Sequence, residues 1–272
     1  MRLRSLLYVP ADQPRFVARA HERGADALIL DLEDSVAPDA KPAARAALAQ
    51  SVASAGQSGC PVFVRVNSDA ALAEDATMAA QAGAFGLYLP KASAAQLARL
   101  DAAQQATGSA LPVVALIEDP AALLESAAIA AHPGVVALSL GGEDLATALG
   151  AAPDSAVLHH ARLMVHLAAK AAGRMSLGLF APIANYTDLD GIARAASEAK
   201  RNGFDGASCV HPSAVPILNA AFQPSAAEIT WANAVLLAAG SARGGAFQFE
   251  GRMIDLPILQ RAERIRALAR HE

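Results

Sequence analysis

Two carboxylates in the middle of the chain could form a metal site. Glu118 follows the apolar run Val113–Ile117, and Asp144 comes shortly after the apolar run Val135–Leu140. Short apolar runs rich in β-branched residues predict buried parallel strands, and the carboxyl ends of such strands are where α/β proteins bind ligands. Mg²⁺ typically takes one or two carboxylates and completes its octahedron with water and substrate oxygens. Either acid could instead cap a helix, and the spacing alone leaves both interpretations open.

Polar side chains also follow several of the other apolar runs. The ends of parallel strands meet at one mouth of a closed barrel, so residues that are far apart in the sequence become neighbours there. One polar residue after a strand is expected of any surface loop, and only the coincidence over many strands indicates a site. The residues in question are Glu33, Asp34, Arg65, Asn67, Lys91, Glu118, Asp144 and His211.

A cycle of apolar run, polar turn and Ala-rich amphipathic stretch repeats eight times within residues 1–222. Strands that alternate with helices predict parallel pairing through right-handed crossovers. Eight units favour an α/β fold, the (β/α)₈ TIM barrel. An open doubly wound sheet would favour Gly-x-Gly-x-x-Gly after the first strand, where this chain has Tyr8-Val9-Pro10-Ala11-Asp12. The predicted strands cover residues 5–9, 27–32, 61–66, 85–89, 113–117, 135–140, 176–180 and 206–210.

Residues 223–272 fall outside the eight units and predict a C-terminal helical extension. A helix is expected over residues 226–239, followed by a flexible connector over residues 240–245. A final helix carries four arginines, Arg261, Arg264, Arg266 and Arg270. We expect this extension to cover the barrel mouth, to pack against a neighbouring subunit, or both.

Composition excludes several classes of protein. Of the 272 residues, 54% are hydrophobic and only 4% aromatic, which suits Ala-rich helices around a small-residue core. The net charge of −4 comes without a basic block, so neither nucleic acid nor an anionic membrane is an expected partner. No apolar run is long enough for a signal peptide or a membrane span, which predicts a cytoplasmic protein. Cys60 and Cys209 are too far apart for a metal motif, and Cys209 is expected to be a buried apolar residue.

Several motifs occur in order along nearly the whole chain. The most specific is Asp31-Leu32-Glu33-Asp34-Ser35-Val36, with Lys41 and Ala44-Arg45 behind it. The others are Arg4-Ser5-x-Leu7-Tyr8-Val9-Pro10, Arg65-Val66-Asn67, Leu89-Pro90-Lys91, Ile117-Glu118, Gly142-Glu143-Asp144-Leu145-Ala146, His211-Pro212 and Gly251-Arg252-Met253-Ile254-Asp255-x-Pro257. Together they resemble the citrate lyase β-subunit family, in the superfamily that also holds malyl-CoA and citramalyl-CoA lyases and the metal-dependent hydroxy-oxo-acid aldolases.

The resemblance implies a barrel assembled as a homotrimer or a multiple of trimers, and it implies roles for particular residues. Glu118 and Asp144 would be Mg²⁺ ligands. Arg65 would clamp the carboxylate of a 2-oxo acid, for which a guanidinium fork is well suited. Glu33 and Asp34 would lie beside the metal, one reaching it through water or orienting Arg65, with a helix cap as the alternative.

Four further residues complete the predicted site. Asp255 resembles the residue that a neighbouring subunit's tail places near the thioester carbon, although a cap or packing role is the alternative. Lys91 would support the acidic cluster or form a structural ion pair. Gly142 and Arg4 are expected to contact the substrate, Arg4 as one of several basic residues near the first unit that could meet the phosphates of CoA. The chain has Asp119 where the family commonly has Thr, which leaves the substrate's identity open.

The predicted reaction cleaves a 3-hydroxy-acyl-CoA of the malyl-, citramalyl- or citryl-CoA type into an acyl-CoA and a 2-oxo acid, with Mg²⁺ as Lewis acid. No Lys lies inside a predicted strand, which disfavours a Schiff base. Two alternatives remain: a class II aldolase acting on free 4-hydroxy-2-oxo acids without CoA, and a non-catalytic scaffold subunit. A scaffold has little reason to keep Glu118, Asp144 and Arg65 unpaired at a barrel mouth.

Overall fold

Eight short parallel strands form the sheet of the first of two compact units, residues 1–222 and 223–272, in the computed structural model. The structure describes residues 2–181, 186–241 and 245–269. The strands are β1 Ser5–Pro10, β2 Ala27–Asp31, β3 Val62–Arg65, β4 Gly86–Leu89, β5 Val113–Ile117, β6 Val135–Leu140, β7 Met175–Leu177 and β8 Ala207–Cys209. Their spatial order is β7-β6-β5-β4-β3-β2-β1-β8, and a parallel bridge between Leu177 and Gly206 joins the two ends. The predicted (β/α)₈ barrel is confirmed.

Helices connect the strands and carry most of the apolar packing outside the barrel. They are α1 Pro14–Val17, α2 Lys41–Ala46, α3 Leu48–Ala55, α4 Leu72–Gln81, α5 Ala94–Thr107, α6 Pro120–Leu124, α7 Ser126–Ala131, α8 Gly142–Leu149, α9 Ala156–Ala171, α10 Leu189–Arg201 and α11 Val215–Ala221, with short 3-10 turns at Ala20–Arg23, Gln57–Gly59 and Pro212–Ala214.

Three helices predicted as continuous are each broken. The prediction over residues 13–23 becomes α1 and a 3-10 turn, that over 41–54 becomes α2 and α3, and that over 121–131 becomes α6 and α7. Between α6 and α7, Glu125 has φ −93° and ψ 3°, outside the regular helical region. The apolar pattern runs on through such a break, so periodicity alone does not detect it.

Alternation along the strands decides which side chains fill the barrel. Ile29, Phe63 and Leu116 belong to the cluster inside the barrel, whereas their strand neighbours Leu30 and Val64 pack outward against the helices. Successive side chains of a strand point to opposite faces. The residue two positions after each inward residue therefore also points inward, one layer closer to the carboxyl end.

The second unit pairs two helices with a β-hairpin. Its elements are α12 Ala226–Ser241, β9 Phe247–Phe249, β10 Arg252–Ile254 and α13 Leu256–Ala269. The hairpin lies between the predicted connector and the final helix, where no element was predicted, because strands of three residues are too short to show a pattern of alternation. The two residues of its turn, Glu250 and Gly251, have φ values of 47° and 74°. Positive φ at both positions is typical of the hairpin turn that matches the right-handed twist of the strands. Residues 242–244 of the predicted connector at 240–245 lie outside the described residues, and so does Arg270 of the predicted final helix.

None of the helices in the described parts of the chain is long and apolar enough to cross a membrane.

Candidate active site

A cavity of about 430 Å³ opens at the carboxyl ends of the barrel strands. Asp31, Arg65 and Glu118 lie two residues after Ile29, Phe63 and Leu116, and alternation therefore points their side chains into the barrel at this end. All three line the cavity. Carboxyl-end cavities of this kind hold the active sites of α/β barrels.

Arg65 is held by a carboxylate on the neighbouring strand. Asp31 is its register partner across the β2–β3 pair. The Arg65 Nε donates to Asp31 Oδ1 at 2.7 Å and Nη2 donates to Asp31 Oδ2 at 2.6 Å. Burial alone would raise the pKa of Asp31, but these hydrogen bonds hold it below its usual range. The bidentate pair fixes one edge of the guanidinium.

The opposite edge of the Arg65 guanidinium faces two more carboxylates. Its Nη1 lies 2.9 Å from Glu33 Oε2 and 3.1 Å from Asp34 Oδ2. Asp34 lines the cavity and its side chain is 65% exposed, whereas Glu33 is buried behind the lining. The guanidinium carbon also lies 5.1 Å from the centroid of the Tyr8 ring, a cation–π contact beside the cavity. Both carboxylates thus contact Arg65, and the roles predicted for them in the reaction stay predictions.

Glu118 is positioned by backbone groups. The Lys91 N–H donates to Glu118 Oε2 at 2.7 Å, and Lys91 adopts a left-handed φ of 49° at this point. A Cβ at Gly141 would lie 2.5 Å from Glu118 Cγ, so only glycine allows this approach. Burial raises the pKa of Glu118 to about 8, the Lys91 N–H opposes this rise, and the nearby Asp144 adds to it. A buried carboxylate next to a second carboxylate favours a bound cation.

Asp144 completes the candidate metal pair. It lies in the first turn of α8, is exposed, and lines the same cavity as Glu118. No cluster of three or more His, Cys, Asp or Glu side chains suited to a metal occurs among the described residues. Two carboxylates with open positions for water and substrate oxygens are nevertheless what Mg²⁺ requires, whereas a structural zinc site would need four protein ligands.

The balance of charge in the cavity also suits a cation. Five carboxylates line it, those of Asp31, Asp34, Glu118, Glu143 and Asp144, against the guanidiniums of Arg65 and Arg162. An anionic substrate entering this cavity would meet a net negative charge. A divalent cation held by Glu118 and Asp144 would offset most of this negative charge and would accept substrate oxygens as further ligands.

Two predicted substrate contacts, Arg4 and Lys91, do not line the cavity. Arg4 precedes β1 and therefore lies at the amino ends of the strands, opposite the cavity, where Nε and Nη2 donate to Asp26 at 2.8 and 2.7 Å. The predicted contact of Arg4 with the substrate is therefore wrong. The Lys91 Nζ lies 3.5 Å from Glu33 Oε1, and its predicted contact with the substrate stays a prediction. Gly142 does line the cavity, at the start of α8.

Asp255, the remaining predicted residue, belongs to the second unit. It stands immediately before α13, and its carbonyl accepts the Leu259 N–H at 3.0 Å. Its proposed part in the reaction stays a prediction.

Several polar residues have structural tasks. Asp119 caps α6 by accepting the N–H groups of Ala121 and Ala122, both at 2.9 Å, so its carboxylate is committed to the helix. His211 caps the turn at Pro212–Ala214 in the same way. Burial raises the pKa of Cys209 to about 12, as expected of a residue that packs as an apolar group.

Asp31, Tyr8, Glu143 and Arg162 line the cavity but were not predicted as site residues. A signal existed for Asp31: it is a carboxylate inside an apolar strand, followed one strand later by an arginine at the corresponding position. Arg162 lies in the middle of the amphipathic helix α9, and the sequence offers no sign that it reaches the cavity.

The fold and the site define a class of protein: an α/β-barrel enzyme that combines two carboxylates suited to a metal ion with a fixed arginine at the carboxyl ends of its strands. Residues 4–212 match the HpcH/HpaI aldolase/citrate lyase family. The chain belongs to this family and is an enzyme of the carbon–carbon lyase class.

Two relatives and one solved structure are similar to most of the chain. The citrate lyase subunit beta-like protein of Mycobacterium tuberculosis is 38% identical over 267 residues, covering 94% of this chain and 92% of the relative. The (3S)-malyl-CoA thioesterase of Cereibacter sphaeroides is 36% identical over 235 residues, covering 85% of this chain and 80% of the relative. The crystal structure of the protein CitE from Mycobacterium tuberculosis in complex with magnesium, acetoacetate and coenzyme A is 36% identical, with a TM-score of 0.80 and 98% of both chains covered.

Proposed function

We propose that this chain is a Mg²⁺-dependent lyase that cleaves a 3-hydroxy-acyl-CoA, of the malyl-, citramalyl- or citryl-CoA type, into an acyl-CoA and a 2-oxo acid. The observation that carries the proposal is the pair of carboxylates, Glu118 and Asp144, in one cavity with the fixed guanidinium of Arg65. The similarity to a protein solved with magnesium, acetoacetate and coenzyme A supports both the metal and the thioester.

Each group of the site has its own task in this cleavage. Bound Mg²⁺ would supply Lewis-acid stabilisation of the oxygen that becomes the carbonyl of the 2-oxo acid. Glu118 and Asp144 would hold the metal, and the backbone of Lys91 fixes Glu118 for this purpose. Arg65 binds the carboxylate of the oxo-acid half through the edge that Asp31 leaves open, so the substrate competes there with Asp34.

The proton and electron balance of the reaction is simple. The alcohol proton passes to a cavity carboxylate, for which Asp34 is the candidate because it is exposed and lies at the edge of Arg65 that would bind the substrate carboxylate. The bond between the alcohol carbon and the carbon next to the thioester breaks, and its electron pair stays on the thioester enolate. Asp255, by the resemblance, returns a proton to that carbon.

Hydrolysis of the thioester is a second candidate activity, because a relative at 36% identity is a (3S)-malyl-CoA thioesterase. In this reaction water attacks the thioester carbonyl, and free CoA leaves while the hydroxy acid stays intact. The aldolase for free 4-hydroxy-2-oxo acids and the non-catalytic scaffold are tested by the same assay.

We also propose that the chain acts as a homotrimer or a multiple of trimers. The resemblance implies that Asp255 of one subunit serves the cavity of its neighbour. This arrangement would bring the carboxylate of Asp255 to a cavity built by the barrel of another subunit.

The decisive assay offers malyl-, citramalyl- and citryl-CoA, and separately free 4-hydroxy-2-oxo acids, with Mg²⁺ or with EDTA, and identifies the products by mass spectrometry. We expect an acyl-CoA and a 2-oxo acid with Mg²⁺ only. Free CoA with an intact hydroxy acid would identify a thioesterase, cleavage of the free acids alone would identify an aldolase, and no turnover of any compound would favour the scaffold.

A matched pair of variants tests the metal site in the same assay. Glu118→Gln should abolish Mg²⁺-dependent turnover, because an amide is a poor replacement for a carboxylate ligand. Asp119→Asn, one residue later, should keep turnover close to wild type, since its side chain caps α6 and Asn caps helices well. If Glu118→Gln keeps a turnover rate as high as that of Asp119→Asn, Glu118 is not a metal ligand.

A further inference from the structure

Arg162 is a buried cation with no carboxylate in ion-pair contact among the described residues. It belongs to α9 and lines the barrel cavity although its exposed fraction is only 8%. Its Nη2 donates to the Pro153 carbonyl at 3.3 Å, and it makes no ion pair with any residue in the described ranges. Glu143 lies near enough to influence it but is exposed and stands beyond ion-pair distance.

Comparison with Arg65 shows that the lack of a counter-charge is particular to Arg162. Both arginines are 8% exposed and both line the cavity. Burial lowers the pKa of each guanidinium, but pairing with Asp31 more than offsets this for Arg65, while the pKa of Arg162 stays below its ordinary value. A buried charge without a counter-charge is strongly unfavourable in a protein interior. A ligand that brings an anionic group would recover that cost on binding.

Topology places the two guanidiniums on different sides of the cavity. Arg65 ends β3, whereas Arg162 lies on α9, which follows β6 and precedes β7, and β3 is four positions from β7 in the order of the sheet. Glu118 and Asp144 follow β5 and β6, between them. A Cβ at Gly142 would lie 3.3 Å from Arg162 Nη2, so the bare backbone at the start of α8 leaves room for this side chain.

The size of the cavity limits what the second anion can be. A space of about 430 Å³ accepts a small organic acid, whereas the phosphates of CoA belong to a much larger and more hydrated group. A carboxylate is the small anion that a guanidinium recognises with two parallel hydrogen bonds.

We propose that Arg162 binds a second carboxylate of the substrate, so that the enzyme selects thioesters whose 2-oxo-acid half is a dicarboxylate. The assignment rests on the proposed lyase function for its biological meaning, but the binding preference itself does not require turnover. Arg65 and Arg162 would bind the two carboxylates of one dicarboxylic 2-oxo acid, and Glu118 and Asp144 would lie between the two arginines.

The test compares two acids of four carbons that differ by one carboxylate, oxaloacetate and 2-oxobutanoate. Isothermal titration with each, in the presence of Mg²⁺, gives their affinities for the wild type, for Arg162→Met and for Arg162→Lys. The wild type should prefer oxaloacetate by about tenfold or more, the contribution of one charge-assisted pair. The preference should fall to about twofold or less in Arg162→Met and be partly kept in Arg162→Lys.

Arg174→Met is the matched control. Arg174 also donates to backbone carbonyls, those of Ala130 and His132, but it precedes β7 at the amino end and does not line the cavity. Its replacement should leave the ratio of affinities unchanged. If Arg162→Met does not fold, as thermal unfolding would show, the comparison of Arg162→Lys with the wild type decides.

Two results would overturn the assignment. One is a wild type that binds both acids equally, and the other is an Arg162 variant that loses affinity for both acids by the same factor, which would indicate support of the cavity wall. Failure of the lyase proposal remains distinguishable. A preference that depends on Arg162 without thioester cleavage keeps the assignment and rejects the lyase, and cleavage with an unchanged preference does the reverse.

Discussion

At the scale of single residues, the pair of Arg65 and Asp31 determines what the site can bind. Asp31 occupies Nε and Nη2, so the guanidinium plane is fixed before a substrate arrives. A group held in one orientation loses little further side-chain entropy when it binds a ligand. The same pairing explains why Arg65 can be buried in the cavity wall without a large cost in the free energy of folding.

Asp31→Asn should lower kcat/KM by more than about tenfold and the free energy of unfolding by about 3 kcal/mol, because a buried Arg65 loses its counter-charge. The control is Asp26→Asn, which weakens the similarly bidentate pair with Arg4 at the other end of the barrel. It should leave kcat/KM unchanged and cost less stability, since that pair is more exposed. Steady-state kinetics and urea unfolding measure both effects, and a wild-type rate in Asp31→Asn would contradict the positioning role.

The stability that Asp31 provides should depend on pH. The pKa of Asp31 is held low in the folded protein against the effect of burial. A carboxyl of this kind stabilises the fold above its unfolded pKa of about 4, and the contribution is lost as the pH falls through the folded pKa. The difference in unfolding free energy between the wild type and Asp31→Asn should therefore be constant near neutral pH and shrink below about pH 4. An equal difference at pH 3 and pH 7 would refute this explanation.

The backbone of Lys91, beside Glu118, is strained. Its φ of 49° is unfavourable for any residue with a Cβ, and this conformation delivers its N–H to Glu118. Lys91→Gly should be more stable than Lys91→Ala by about 1 kcal/mol, because glycine adopts positive φ at no steric cost and both variants keep the N–H. Thermal unfolding of the two variants tests this, and greater stability of the alanine variant would show that the backbone is relaxed.

At the scale of elements, the ends of β5 and β6 together position the two candidate metal ligands. The Gly141 N–H donates to the Ile117 carbonyl at 2.8 Å, which extends the pairing of the two strands and brings the Gly141 backbone against Glu118. The chain then turns directly into α8, whose first turn carries Asp144. The two carboxylates are thus placed by one strand pair and one helix start.

Gly141→Ala should weaken Mg²⁺ binding by about tenfold or more and destabilise the fold by about 1–3 kcal/mol, because the new Cβ would lie 2.5 Å from Glu118 Cγ. Gly240→Ala in α12 is the matched control, since a Cβ there would have no neighbour within 4 Å. It should raise stability by about 0.5–1 kcal/mol and leave Mg²⁺ affinity unchanged. Titration calorimetry with Mg²⁺ compares the two, and equal affinities would show that Glu118 adapts to the extra carbon.

At the scale of the whole molecule, the proposed assembly makes each active site depend on two subunits. If Asp255 acts on a neighbour's cavity, an Arg65→Lys chain and an Asp255→Asn chain would each be inactive alone. Hybrids reassembled from an equal mixture should then recover about a quarter of the wild-type rate, since a random neighbour completes that fraction of the sites. Sedimentation would establish the oligomer, and a rate no higher than that of either parent would place Asp255 outside the neighbour's site.

The accuracy of the predicted strands follows the strength of the local signal. The predicted bounds of β5 and β6 equal those observed, because β5 is wholly apolar, β6 is interrupted by Ser139 alone, and Gly or acidic residues follow both. The predictions over 176–180 and 206–210 were too long, since β7 and β8 have only three residues and their pairing with each other is a bridge. The hairpin of the second unit went unpredicted for the same reason.

The amino-acid sequence alone was sufficient to predict the barrel and to place Glu118, Asp144 and Arg65 at its mouth, because apolar periodicity and the groups that follow each strand are local properties. Which groups meet depended on the folded chain. Strand register sets Asp31 against Arg65, helix docking brings Arg162 to the cavity, and the position of Arg4 before β1 turns it to the far end. These pairings join residues distant in sequence, and a local pattern carries no information about them.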